Sequence, residues 1–285
     1  MNLRKPRSEI FVPDGLPAEA ALARTTHMGI VGHADDLEII AWPGIWACLS
    51  TTERWFSGVV VTDGAGSARS GPYAHVSDDE MREVRKAEQK KAAVVGEYGA
   101  VALLDYTSAE VKAPERGALV AEIAALLAAS RPSVVYTHNL ADRHSTHVAV
   151  ALAAIEACRS LPEAQRPGRV LGGEVWRGLD WLADGDRVAE DAGGRENLAA
   201  ALIGIFDSQI AGGKRYDQAV PGRRRANATY NSSHQVDASS ALCFAMDLTP
   251  LVQDATLDPA AHVRAFVDRF GGEVERRIRR LTGAP

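Results

Sequence analysis

Four short apolar or β-branched runs set the frame for this 285-residue chain: Met28–Val31, Ser57–Thr62, Ala100–Leu104 and Ser133–Thr137. Helical patterns lie between them. Leu119, Val120, Ile123, Leu126 and Leu127, for example, recur at the spacing of one helix face. Strands that alternate with helices in this way build βαβ units and a sheet covered on both sides. The expectation is an α/β, Rossmann-like, mostly parallel sheet flanked by helices, with an elaborated C-terminal part. A single domain over 1–285 is expected, with its core at about 25–210 and a loop and helical elaboration over 211–285.

Particular elements follow from local signals. Helices are expected over Asp36–Thr51, from the acidic cap Ser77-Asp78-Asp79-Glu80 to Tyr98, over Arg116–Ala129, from the His138–His147 cluster to Ser160, and over Glu196–Gln209. A strand is expected over Val170–Trp176. Residues 211–240 are rich in Gly, Arg, Asn and Ser and read as a loop around Arg223-Arg224-Arg225. A last helix starts near Pro259 and is expected to break at Gly271-Gly272.

Polar clusters stand just past two of the four apolar runs. The first is Gly32-His33-Ala34-Asp35-Asp36 and the second is His138-Asn139-Leu140-Ala141-Asp142-Arg143-His144-Ser145-Thr146-His147. In open α/β sheets such groups, at strand carboxyl ends, sit where ligands bind. A tight turn could point His33 and Asp36 at one centre, leaving Asp35 as a free carboxylate beside it. One histidine of the second cluster would complete the three-ligand set of a catalytic zinc, which keeps a position open for water.

Charge and cysteine usage remove several other classes. A formal net charge of −5 argues against a nucleic-acid-binding surface. Cys48, Cys158 and Cys243 lie far apart without a CxxC pair, against a thiolate zinc site or a disulfide framework. No apolar stretch reaches the length of a membrane span, so a cytoplasmic protein is expected. No G-x-G-x-x-G follows the first strand, against a plain dinucleotide site.

The first cluster resembles the (A/G)H(P/A)DD signature of the PIG-L, or LmbE-like, deacetylase family, and Asp142–His147 resembles its D-R-H-x-D-H motif. Thr62–Gly71 is similar to the family's Gly-rich loop, Arg85-Lys86-Ala87-Glu88 to its R-x-x-E helix, and Ser208-Gln209 to a later S-Q pair. The resemblance spans about residues 27–210. It implies Zn²⁺, with Fe²⁺ as the alternative, held by His33, Asp36 and His147. It implies Asp35 as general base and His144 as a transition-state group. Arg69 matches the loop arginine that contacts substrate; Asp63 and Asp142 join it as candidate substrate-binding residues. Thr146 departs from the pattern, which has Asp beside the last histidine to support His144, and Asp142 stands as a substitute partner.

The implied activity is hydrolytic removal of an N-acetyl group from an N-acetylglucosamine-type sugar on a larger conjugate. Two rivals accompany it: an amidase cleaving a sugar-thiol conjugate, and a non-catalytic sugar-binding domain of the same fold. The partner expected is a small N-acetylated sugar or sugar conjugate, not nucleic acid, and a homo-oligomer is compatible with the chain.

Overall fold

The first polar cluster leaves the sheet where its strand order reverses. The structure, a computed structural model, describes residues 2–231 and 234–283. Its strands are β1 (Glu9–Phe11), β2 (His27–Val31), β3 (Phe56–Thr62), β4 (Ala100–Tyr106), β5 (Val134–His138), β6 (Arg169–Gly173), β7 (Arg187–Asp191) and β8 (Leu242–Asp247). They form one sheet in the order β1-β4-β3-β2-β5-β6-β8-β7. The five central strands are parallel; β1, β7 and β8 pair antiparallel. From β2 the chain runs outward through β3 and β4, then returns to place β5 on the other side of β2. That reversal leaves a crevice at the carboxyl ends of β2 and β5.

Alternate residues of each central strand feed two cores. Met28, Ile30, Val59 and Val61 pack on one face with the helices Gly117–Ser130 and Ser145–Ser160. Val31, Val60, Val101 and Leu103 pack on the other with Leu37, Ile45, Ala92 and Leu202. Burial on both faces explains why these strands read as continuous apolar runs. Leu37 fixes the helix Asp36–Ile40 against the sheet. A Cβ at Gly29 or Gly58 would come within 2.3 or 2.4 Å of its methyl groups, so those glycines allow the close approach that places Asp36. Burying such a leucine contributes about 1.5–3 kcal/mol.

Several local expectations change. The helix expected over Asp36–Thr51 is two helices, Asp36–Ile40 and Trp42–Cys48. Pro43 stands in the first turn of the second, where its missing N–H suits a helix start but not a continuing ladder. β6 ends at Gly173, leaving Glu174–Trp176 as a loop. The loop expected over 211–240 contains the helix Tyr216–Ala228 despite Pro221. Its buried Tyr216, Val220, Arg224 and Ala228 recur every fourth residue, and Arg224 donates to the backbone oxygens of Glu38 and Ile39. The last helix runs unbroken from Pro259 to Thr282, with no interruption at the glycine pair. Among the described residues, no helix is long and apolar enough to cross a membrane.

Candidate active site and metal centre

Asp35 turns the chain between β2 and the helix that follows. Its backbone takes φ 90° and ψ −32°, a left-handed conformation that a non-glycine residue holds at about 1–3 kcal/mol. The turn is held from below: Asp35 N–H donates to Gln89 Oε1 at 3.3 Å, and Arg85 donates to the Ala34 carbonyl. With the backbone reversed there, His33 and Asp36 face one centre and Asp35 faces Arg85.

Three donor atoms meet at that centre. His33 Nδ1 lies 3.2 Å from Asp36 Oδ2 and 3.1 Å from His147 Nε2, and His147 Nε2 lies 3.4 Å from Asp36 Oδ2. Tetrahedral zinc with nitrogen and oxygen ligands at about 2.0–2.1 Å requires donor atoms about 3.3 Å apart. The donor set and its spacing fit such an ion. His147 is oriented for it, since its Nδ1 bonds Asp142 Oδ2 at 3.0 Å and Nε2 is left to face the centre. Gly32 keeps the floor open: a Cβ there would lie 3.1 Å from the His147 ring and 3.4 Å from Asp36 Oδ2.

Charge accumulates accordingly. Burial works against an ionised Asp36, but His147, His138 and His33 outweigh it and hold the carboxyl well below its usual range. Burial also opposes an imidazolium at His147, and Asp36 and Asp142 overcome it, so its pKa is raised. Asp35 differs from its neighbour. Burial pushes it up to about 6, with the Asp36 charge adding to the rise and Arg85, at 2.8 Å, opposing it. Adjacent carboxylates are thus driven apart, one firmly ionised and one near neutrality, the separation that acid–base work requires.

His138, the first residue of the second polar cluster, also lies at this centre. It stacks on His147 with ring centroids 3.9 Å apart, and its Nε2 accepts the Gly32 N–H at 2.8 Å. That bond places its proton on Nδ1, which is buried without a partner, and engages the lone pair a metal would need.

His144 caps the helix Ser145–Ser160, its Nδ1 accepting the Thr146 N–H at 3.3 Å. Burial, together with His147 and His33, pushes its pKa down to about 4. Neither expected support reaches its ring. Thr146 Oγ1 is buried with no hydrogen-bond partner. Asp142 accepts the His144 backbone N–H at 2.7 Å and accepts from His147 with its other oxygen, so it is not His144's ring partner.

Two of the expected substrate-binding residues have their side chains engaged within the protein. Arg69 donates to the Ala65 carbonyl and to Asp78, both at 2.6 Å, and is turned along its own loop rather than into the cavity. Asp63 borders the cavity, but its oxygens are taken by the Ala65 N–H at 3.1 Å and by Arg82 at 3.0 Å. By contrast, residues quoted only as motifs form one buried network. Arg85 binds Asp35 through Nη2, and through Nη1 it reaches Glu88 at 3.1 Å and Ser208 at 3.2 Å. Ser208 closes the network with two 2.7 Å bonds to Glu88. The cavity above the cluster measures about 570 Å³. Arg143, from the second polar cluster, lines it together with Trp176, Lys214 and Tyr216.

The sequence matches the PIG-L family, described as GlcNAc-PI de-N-acetylase, over residues 28–158. The PIG-L segment contains both polar clusters and the Arg85–Glu88 helix, and stops short of Trp176, Ser208 and Tyr216. No curated protein matches the chain in sequence. Among solved structures, N,N'-diacetylchitobiose deacetylase from Pyrococcus horikoshii is 16% identical with a TM-score of 0.59, over 77% of this chain and 83% of that one. A deacetylase of the teicoplanin biosynthesis pathway is 13% identical at 0.55, over 78% and 98%. The 4-carboxy-2-hydroxymuconate hydratase from Pseudomonas putida is 15% identical at 0.60, over 79% and 96%. These likenesses establish the fold, and the hydratase among them means that the reaction must be argued from the site.

Proposed function

We propose that this chain is a metal-dependent hydrolase that removes the N-acetyl group from an N-acetylglucosamine-type sugar carried on a larger molecule. The observation that carries the reading is the three-donor face of His33, Asp36 and His147 with Asp35 held separately beside it. The PIG-L segment and the deacetylases among the structural neighbours support it.

When bound, Zn²⁺ or Fe²⁺ would supply Lewis acidity, acidifying water and polarising the amide carbonyl. Asp35 supplies the proton transfer. Near neutral pH it is ionised, yet basic enough to take a proton from water as the hydroxyl adds to the carbonyl carbon. The C–N bond then breaks, and the same proton passes from Asp35 to the amine, giving acetate and a free amino sugar. Arg85 keeps the carboxylate in place through this exchange.

His144 acts here as a neutral donor. Its Nδ1 is occupied by the Thr146 N–H, so the proton of the neutral ring sits on Nε2, available to an oxyanion. One such donor is typically worth about 3 kcal/mol of barrier. A neutral ring suits this site, since no carboxylate contacts it and burial depresses its pKa. Trp176 stands over His144 with centroids 6.4 Å apart and meets Tyr216 edge-on at 6.1 Å, an aromatic wall suited to a sugar face.

The test is to incubate the protein with N-acetylglucosamine conjugates and measure acetate and free amine, before and after chelation and after zinc is restored. Release that chelator abolishes and zinc restores is expected. Turnover that survives complete metal removal, or no release from any N-acetylated sugar by metal-loaded protein, would overturn the reading.

A further inference from the structure

Two buried side chains of the cavity wall, outside the metal cluster and its Asp35–Arg85 support, keep a polar atom uncommitted. They are Gln209 and Tyr216, and both lie beyond the segment that matches the PIG-L family. Arg69 and Asp63, the sugar contacts implied by the resemblance, have their charged groups engaged within the protein.

Gln209 is oriented by its neighbour. Ser208 Oγ gives its one proton to Glu88 Oε2 at 2.7 Å, so towards Gln209 it can only accept. Gln209 therefore turns Nε2 to Ser208, at 3.4 Å, and leaves Oε1 to the cavity, without a partner among the described residues. Ser208 also accepts from Arg85, the residue that holds Asp35, which sets Gln209 on the Asp35 side.

Tyr216 opens the helix Tyr216–Ala228, which Arg224 fastens to the backbone oxygens of Glu38 and Ile39. Its ring meets Trp176 edge-on at 6.1 Å, and its hydroxyl has no partner among the described residues. Burial pushes the phenol's pKa up, and Asp35 and then Asp36 add to the rise, so the proton stays on the oxygen. The wall beside Asp35 thus offers one fixed acceptor and one fixed donor. That pair matches an alcohol, which donates once and accepts as well.

We propose that Gln209 and Tyr216 recognise the 3-hydroxyl of the sugar, the alcohol next to the carbon that bears the acetamido group. The inference rests on the deacetylation proposed above. Asp35 has to reach the nitrogen of that group, so side chains beside Asp35 face the substituents of the two adjoining ring carbons. On one of them the oxygen is tied into the link to the larger molecule and has no proton for Gln209. The 3-hydroxyl, on the other, has both functions. The fold already holds both side chains, so little ordering is lost when the sugar binds. A sugar without that hydroxyl would leave Gln209 and Tyr216 buried and unpaired, and is disfavoured for that reason.

The test compares the methyl glycoside of N-acetylglucosamine with its 3-deoxy analogue on the wild type, Tyr216→Phe and Gln209→Met. Two readouts are taken: kcat/KM for acetate release by the metal-loaded proteins, and affinity by titration calorimetry on the metal-free proteins, which needs no turnover. The wild type is expected to favour the hydroxylated sugar about 10- to 100-fold in kcat/KM and to bind it more tightly. Each variant should lose most of that preference by falling on the hydroxylated sugar and not on the deoxy sugar. Tyr216→Phe should keep its metal and its unfolding midpoint, because the hydroxyl bonds no described group; a structural hydroxyl would lower the midpoint. Acetate release without the preference, or losses of equal size on both sugars, overturns the inference. A binding preference that the variants lose, in a wild type that releases no acetate, supports the contact and overturns the deacetylase reading instead.

Discussion

Glu38 lies fully buried beneath the active-site turn, and replacing it with glutamine should stabilise the protein in a pH-dependent way. Its Oε1 accepts from Gln89 Nε2 at 2.8 Å and from the Tyr98 hydroxyl at 2.6 Å, while Oε2 has no partner. Burial pushes the carboxyl from 4.5 up to about 8, and those two hydrogen bonds only partly offset it. Because the folded pKa is the higher one, the folded state holds a proton that the unfolded chain releases. Stability is therefore lost as pH rises from about 4.5 to about 8, by linkage about 1 kcal/mol at pH 5 and about 3 kcal/mol at pH 7. Glutamine keeps the acceptor and cannot ionise, although its buried amide hydrogens take back about 1 kcal/mol. The variant should be about 2 kcal/mol more stable than the wild type at pH 7, and its advantage should grow by about 2 kcal/mol between pH 5 and pH 7 whatever constant the amide costs. Urea unfolding of both proteins at pH 5, 6, 7 and 8 measures this, and any metal contribution common to the two cancels in the difference. Curves that stay parallel across this range would show that Glu38 ionises as an ordinary carboxylate and refute the reasoning.

Other expectations follow from the same geometry. Arg85→Met leaves Asp35 and Glu88 buried without their cation and should cost about 3–5 kcal/mol of stability in thermal or urea unfolding. Since Asp35 must be ionised to act, kcat/KM should fall as pH drops below about 6 in the wild type, and Arg85→Met should move that acid limb to higher pH. Asp142→Asn should weaken metal affinity about 10- to 100-fold in a competition titration, because His147 loses the carboxylate that fixes its tautomer. Arg69→Ala should leave KM for an N-acetylated sugar nearly unchanged, its guanidinium being tied to Asp78 and the Ala65 carbonyl.

The parallel half of the fold is readable from the sequence because its strands are short, apolar and separated by helices with regular spacing. The two loops are readable for a related reason, since polar residues directly after a buried strand have few structural uses. What escapes is set by long-range contact. β7 and β8 pair only through antiparallel contacts at the sheet edge, and the helix over Tyr216–Ala228 forms because its buried stripe and Arg224 dock on the helix below Asp35. Neither carries enough local propensity to declare itself. Arg85, Glu88 and Ser208 stand out as motif residues, but only the fold brings Ser208 across 120 residues to Glu88 and reveals that they hold Asp35. His138 stands in the second polar cluster in sequence, and only the fold reveals that it stacks on His147. Arg69 and Asp142 likewise have partners that only the fold reveals, Asp78 and the Ala65 carbonyl for one and His147 for the other.

The division of labour between His147 and Asp35 is the centre of this account, and metal content measured beside acetate release on the same preparations tests it most directly. The wild type should hold about one metal per chain and turn over. His147→Ala should lose metal and activity together, whereas Asp35→Asn should keep its metal and lose about 10²- to 10⁴-fold in kcat. Metal-loaded Asp35→Asn that releases acetate at the wild-type rate would contradict the account.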